Sequence, residues 1–480
     1  MTRSVNEAAS GGMTDRAHYD ICVIGGGSDG LGIAIGAALL DVPVALVEPG
    51  SPGADGAEAL ARATLLSVTA RLQAARRTPG LEISPAIDLA AIRSHIADTV
   101  KAASAATGAD RLRALSIDLI EGHARFLAPD RIATDGSPRL LTARRFVIAS
   151  LGTARIPEIA GLEDVPFLTQ AGLMALDRLP AHLAILGGGA DALELAQAYR
   201  RLGSAVTLIA EGALLPDQDP ELVDLLRLRL QAEGIRVLTD RPVGRIARDS
   251  TSITLTLGPS ETVVASDLLI AAGRRADLGG LDLASAGVQG GPHRLPVDGR
   301  LRTSNRRIHA VGDAIGDEGS VQDGAAQAGI VLRTLLFRQN ARFDPMAVPR
   351  VARTDPGLAQ IGATERQGRQ TAGGVTILRC PLHDTDRARA DGMPHGLVKV
   401  TTDRKGRILG AGILAPDADE LIQLWQLAIA QRMKIGAVAG LIPAYPTLGE
   451  ASKRAAGSFF APRLLGAGTR RLVRWLARLG

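Results

Sequence analysis

The apolar positions of the chain fall first in short unbroken runs rather than in strict alternation. YDICVIGG (19–26) ends in glycines, a helical stretch follows, and VPVALVEP (42–49) is a second apolar run. The same order recurs at AHLAILGG (181–188), ALELAQAYRRLG (192–203) and SAVTLIAE (204–211). Runs apolar on both faces are what parallel strands need when helices cover the sheet on both sides. Each repeat therefore predicts a β-α-β unit of about 30 residues, the dinucleotide-binding element. Between them, residues 87–106 carry helical periodicity, whereas IDLIEGHARFLAPDRIAT (117–134) and RRFVIAS (144–150) read as strands joined by turns. Near Pro345 the pattern changes. LVKVTTDRKGRILGAGIL (397–414) reads as a hairpin and DELIQLWQLAIAQRM (419–433) as an amphipathic helix, so a third, α+β domain is expected.

Composition narrows the class. A chain of 480 residues suggests roughly three domains. The formal net charge is only +5, and its basicity is local: after Glu450 there is no acid, while Lys453, Arg454, Arg463, Arg470, Arg471, Arg474 and Arg478 follow. With 2% aromatic residues, base-stacking platforms are poorly supplied, and no nucleic-acid partner is expected. Cys22 and Cys380 lie far apart, which excludes a disulfide framework and a clustered thiolate metal site. Cys22 falls inside an apolar strand, where a buried structural thiol is the simpler reading. The first 18 residues are polar and lack an apolar segment of the signal-peptide kind. They read as a flexible tail, so a cytoplasmic protein is expected.

Three motifs carry chemistry. Gly25, Gly27 and Gly30 form a G-x-G-x-x-G turn, with Glu48 ending the next strand. Glycines there allow a diphosphate close to a helix N-terminus, and an acid about 20 residues on can accept ribose hydroxyls. Gly187, Gly189 and Ala192 repeat the turn in its G-x-G-x-x-A form, followed by Glu194. Two dinucleotide sites imply electron traffic between two cofactors, most simply a flavin and a nicotinamide. The third motif, TSNRRIHAVGDA (303–314), places Asp313 at a strand end, where its carboxylate can meet a polyol such as a ribityl chain.

In this order and spacing the motifs resemble the class I pyridine nucleotide-disulfide oxidoreductases, the glutathione reductase, dihydrolipoamide dehydrogenase and mercuric reductase family. The likeness runs from about Tyr19 to Ala456 and includes AAGRRAD (271–277), TDPGLAQIGATE (354–365) and AYPTLGEASKRAA (444–456). It implies an α/β fold with two Rossmann-like domains, for FAD and NAD(P), and a C-terminal α+β dimerisation domain. The implied boundaries are residues 19–155 and 277–344 for FAD, 156–276 for NAD(P) and 345–462 for dimerisation, with a tail at 463–480. FAD falls to Gly25, Gly27, Gly30 and Glu48, with Ala124 near the adenine and Asp313 on the ribityl chain. The nicotinamide cofactor falls to the second turn, to Gly273, and to Glu194 beside the nicotinamide. Glu211 stands where NADPH-preferring relatives often carry arginine. A carboxylate there favours a 2′-hydroxyl, so NAD(H) is expected, with NADP(H) not excluded. A homodimer is implied, and no metal.

Two departures set the function apart. Laid on residues 48–66, EPGSPGADGAEALARATLL, the family's redox cysteines fall near Ala54 and Ala59 and its lysine near Ala63. No thiolate is available there, though Arg62 takes the lysine's place if the register slips by one. The family's histidine base gives way to Tyr445, with Glu450 left behind it. A phenol with an ordinary pKa of about 10 is a poor base at neutral pH, so Tyr445 reads as structural or as an acceptor contact. The readings are then an FAD enzyme passing hydride from NAD(P)H to a small-molecule acceptor such as a quinone, or a catalytically degenerate homologue serving as a binding module. A dihydrolipoamide dehydrogenase or mercuric reductase has only fold-level analogy behind it. Over 469–479, Leu472, Val473, Trp475, Leu476 and Leu479 share one helical face and four arginines the other. Such a helix can lie on an anionic membrane, or pack on the dimerisation domain.

Overall fold

The computed structural model describes residues 16–82, 86–259, 261–316, 320–371 and 373–479. The expected N-terminal tail therefore lies outside the described residues up to position 15. The first strand, Arg16–Ile24, starts three residues before Tyr19. The chain divides into two compact units, residues 1–60, 98–153 and 274–343 in one and 61–97, 154–273 and 344–480 in the other.

The first unit is built on a seven-stranded sheet. Asp118–Glu121, Val44–Glu48, Arg16–Ile24, Ser137–Ile148 and Ile308–Ala310 run parallel, and Arg131–Thr134 and Ala124–Ala128 extend the sheet antiparallel. All five residues of Val44–Glu48 are buried, as the unbroken apolar run predicts. The helix Ser28–Ala38 lies against Val321–Leu336 through glycines. A Cβ on Gly36 would come within 2.6 Å of Leu332 Cδ1, so that leucine would have to shift to admit one.

In the second unit the parallel strands Arg236–Leu238, Ala205–Ile209, His182–Leu186 and Asp267–Ile270 form the second dinucleotide-type sheet. Arg245–Arg248, Ile253–Thr256 and Thr262–Ala265 make a small antiparallel sheet. The hairpin expected from 397–414 is present as Leu397–Asp403 and Ile408–Ala415, two strands of a five-stranded antiparallel sheet. The helix Ala54–Arg77 begins in the first unit and belongs to the second from residue 61 on. Its Leu65 and Leu66 are buried with Leu173, Leu195 and Tyr199, which is why this stretch groups with the second sheet.

Candidate active site

The first glycine turn is shaped for close approach. Gly25 has φ +107°, and a Cβ there would meet Ala149 O at 2.1 Å. One on Gly30 would meet Gly25 O at 2.0 Å. Glu48 is buried at the strand end and accepts from the N–H of Gly26 and, at 2.9 Å, of Gly50. Ala124, also buried, opens the strand Ala124–Ala128. Asp313 accepts from Gly152 N–H at 2.8 Å and from Arg274 Nε at 3.2 Å, and Arg274 reaches on to Glu58 at 3.4 Å. The turn, the strand-end acid and a carboxylate held by a guanidinium fit a dinucleotide with a polyol arm.

Two acids that the motif reading did not single out crowd this turn. Asp55 accepts from Ser28 N–H at 2.9 Å and from its hydroxyl at 2.6 Å, so a carboxylate covers part of the helix N-terminus. Asp29 is 6% exposed, accepts from Gly30 N–H at 2.9 Å, and reaches Gly312 so closely that a Cβ there would lie 2.1 Å from Oδ2. Burial pushes its carboxyl up to about 6, helped by Asp55 and Asp313 nearby. An Asp inside a glycine turn suggests an exposed polar residue; nothing local announces that Gly312 and Gly324 close over it.

The second turn shares the backbone and differs in its surroundings. Gly187 has φ +148° and lies against Ala271 O, whereas a Cβ on Gly189 would meet nothing within 4 Å. Ala192 is fully buried, and Gly273, at φ +95°, accepts from Arg155 N–H at 2.9 Å. Glu211 is exposed just beyond the strand Ala205–Ile209. Glu194 is buried. Its Oε1 accepts from Arg353 N–H at 2.6 Å, and its Oε2 lies 2.8 Å from Arg62 Nε as an ion pair off the hydrogen-bond axis. Burial raises the Glu194 carboxyl while Arg62 opposes that rise. Arg62 also meets Asp191 at 3.0 Å and Gln170 at 2.9 Å. The cation beside Glu194 is thus Arg62, one residue before the position the family spacing marks.

The C-terminal candidates sit apart from each other chemically. Tyr445 is exposed and donates to Asp386 Oδ2 at 3.0 Å, a bond that raises its pKa. Glu450 is buried, with Arg454 at 3.4 Å. No sulfur stands in residues 48–66. Cys22 is fully buried and its thiol is pushed far up; Cys380 is buried and pushed up to about 11. Among the described residues no cluster of His, Cys, Asp and Glu could hold a metal ion.

Comparison with known proteins gives the family. The description "Pyridine nucleotide-disulphide oxidoreductase" matches residues 19–329, and the dimerisation domain of that family matches residues 348–456. The chain belongs to this family. Among its relatives, a mercuric reductase of Streptomyces lividans is 33% identical over 455 residues, covering 92% of this chain and 96% of the relative. A dihydrolipoyl dehydrogenase of Thermus scotoductus is 32% identical over 457 residues, covering 91% and 96%. The structure of LpdA from Mycobacterium tuberculosis superposes with a TM-score of 0.84 at 26% identity, over 92% of this chain and 99% of that one. The flavoprotein disulfide reductase RclA of Escherichia coli, at 23% identity, shares the fold, with a TM-score of 0.81 over 92% and 99%. Family members use FAD and NAD(P)H, so the chain is an FAD-dependent oxidoreductase of the nicotinamide-linked kind.

Proposed function

We propose that the chain oxidises NADH, with NADPH second, and delivers both electrons through FAD to a non-disulfide acceptor of the quinone class. The observation that carries this reading is the thiol inventory. Both thiols are buried and held protonated at neutral pH, and thiol–disulfide exchange needs a thiolate. Bound FAD would supply two-electron redox chemistry between the nicotinamide and the acceptor. In the net reaction NADH loses a hydride, and the quinone gains two electrons and two protons, the second proton coming from solvent. Gly25, Gly27, Gly30, Glu48, Ala124 and Asp313 would hold the FAD. Gly187, Gly189, Ala192, Gly273 and Glu211 would hold the nucleotide. Glu194, kept in place by Arg62 and Arg353 N–H, would orient the nicotinamide. Tyr445 and Glu450 would lie on the acceptor side. Ile442, 94% exposed, and Tyr445, 73% exposed, give the dimerisation region an apolar face that suits a second copy.

A second reading, a homologue that binds FAD without turning over, is favoured by one observation: Asp29 and Asp55 crowd the turn where a diphosphate would sit. Anaerobic titration with NADH and then NADPH, following flavin absorbance, separates the two. The first reading expects bleaching complete at one nucleotide per flavin, with reoxidation by a quinone. A chain that carries FAD which neither nucleotide bleaches is the binding module instead.

A further inference from the structure

The C-terminal helix Ala467–Leu476 buries none of its residues. Packing against its own dimerisation domain, the simpler of the two expectations, is therefore not what happens. Leu472, Val473, Trp475 and Leu476 are 50 to 57% exposed, and Leu479 beyond the helix is 66% exposed. At 100° per residue, Leu472, Leu476 and Leu479 fall on one line, with Trp475 and Val473 flanking it and Arg470, Arg471, Arg474 and Arg478 on the opposite side. An apolar stripe left in water needs a cover.

We propose that this helix lies on an anionic membrane surface, with its apolar stripe among the acyl chains and its arginines among the headgroups. Charge selects this cover. Residues 451–480 carry seven basic residues and no acid, so with +5 for the whole chain the first 450 residues sum to −2. The chain's positive excess thus lies in the C-terminal stretch that also exposes the apolar stripe. That pairing is the signature of an interfacial helix rather than of a protein–protein core, which is depleted of charge. The stretch also lies beyond the residues matched to the family's dimerisation domain, which end at 456. No helix among the described residues is long and apolar enough to cross a membrane, so the contact is peripheral. It would bring the enzyme to where hydrophobic quinones reside, but it stands independently of the acceptor.

The chain contains two tryptophans, which makes the test specific. Trp425 is fully buried and donates to Ser452 Oγ at 3.1 Å, so it reports nothing from solvent, whereas Trp475 is exposed. The full chain is mixed with vesicles of phosphatidylcholine alone or with phosphatidylglycerol, and read by flotation and tryptophan emission. A blue shift and flotation with the anionic vesicles, lost on truncation after Pro462, are expected. Each Arg→Ala change among the four should weaken partitioning about fivefold, and raised salt should do the same. The proposal is overturned if anionic vesicles give neither signal, or if the truncated chain floats as well. It is also overturned if the emission is already blue in solution and truncation turns a dimer into a monomer. In that case a second copy is the cover.

Discussion

The two glycine turns read almost alike, Gly25-Gly26-Gly27-Ser28-Asp29-Gly30 and Gly187-Gly188-Gly189-Ala190-Asp191-Ala192, yet the acid at the fifth place lives in opposite settings. Asp29 is buried beside two more carboxylates, and among the described residues no ion pair reaches it. Asp191 has a side chain 47% exposed and paired with Arg62 at 3.0 Å. The helix N-terminus of the first turn is covered by Asp55, whereas among the described residues no side chain accepts from the first N–H groups of the second. A motif therefore sets the path of the backbone. The charge at the bottom of the turn is set by residues far away in sequence.

What the turns share should break hardest. Gly25→Ala and Gly187→Ala place a Cβ about 2 Å from a backbone carbonyl oxygen, at a φ that costs L residues roughly 1–2 kcal/mol by itself. Gly25→Ala is expected to purify without flavin and with a lowered Tm. Gly187→Ala should keep flavin and lose its response to NADH. Gly189→Ala, whose Cβ meets no protein atom within 4 Å, should keep flavin content and Tm unchanged and weaken only the response to NADH, read by flavin absorbance and thermal melts.

The second effect removes what distinguishes the turns. Arg62→Ala leaves Glu194 buried, with Arg353 N–H as its remaining partner, and leaves Asp191 without its cation. Stripping one partner from a buried ion pair typically costs about 3–5 kcal/mol unless the other is neutralised. Glu194, already raised by burial, should then rise further, because Arg62 no longer opposes that rise. Flavin reduction by NADH in stopped flow should slow about 10- to 100-fold, while Arg62→Lys, which keeps the charge, recovers most of the rate. An unchanged rate in Arg62→Ala would remove Glu194 from the nicotinamide side.

These residues also mark how far the sequence could be read. Both β-α-β units and the hairpin were visible because unbroken apolar runs and glycine turns are local signals, and Glu48 follows at a fixed distance along one strand. Arg62 was visible only as an off-register candidate. Without thiolates, nothing in the letters fixes which residue of the helix Ala54–Arg77 faces Glu194. Asp29 was not visible as a site at all, since its burial depends on Gly312 and Gly324, nearly 300 residues away. The tail's amphipathic period was plain, but that its apolar side stays uncovered is a tertiary fact.

A smaller effect should come from Asp29 itself, whose carboxyl stands at about 6 in the fold against an ordinary 3.8. For an acid raised by folding, the penalty is absent below the ordinary value, grows between pH 4 and 6, and is full above 6. A rise of this size corresponds to about 3 kcal/mol. A diphosphate brought alongside raises the carboxyl further, so FAD affinity should fall as pH climbs above 6. Asp29→Asn should flatten that dependence, binding FAD about tenfold more tightly at pH 8 and equally at pH 5. It should also raise the Tm of the flavin-free protein at pH 8 only. A wild-type affinity that is flat from pH 5 to 8 would show that the acid does not face the diphosphate.

The smallest effect belongs to a residue outside both turns. Tyr445 donates its hydroxyl to Asp386, and that carboxylate disfavours a phenolate, so the group stays protonated across the neutral range. It cannot serve as the base that a histidine would be at its place. As a mere contact, Tyr445→Phe should change kcat with a quinone less than about twofold, with an unaltered pH profile. As the proton donor to the acceptor, its loss would lower kcat by about 10²- to 10⁴-fold. A drop of that size would put proton delivery in the dimerisation region, and the contrast between the two turns would then account only for cofactor loading and reduction.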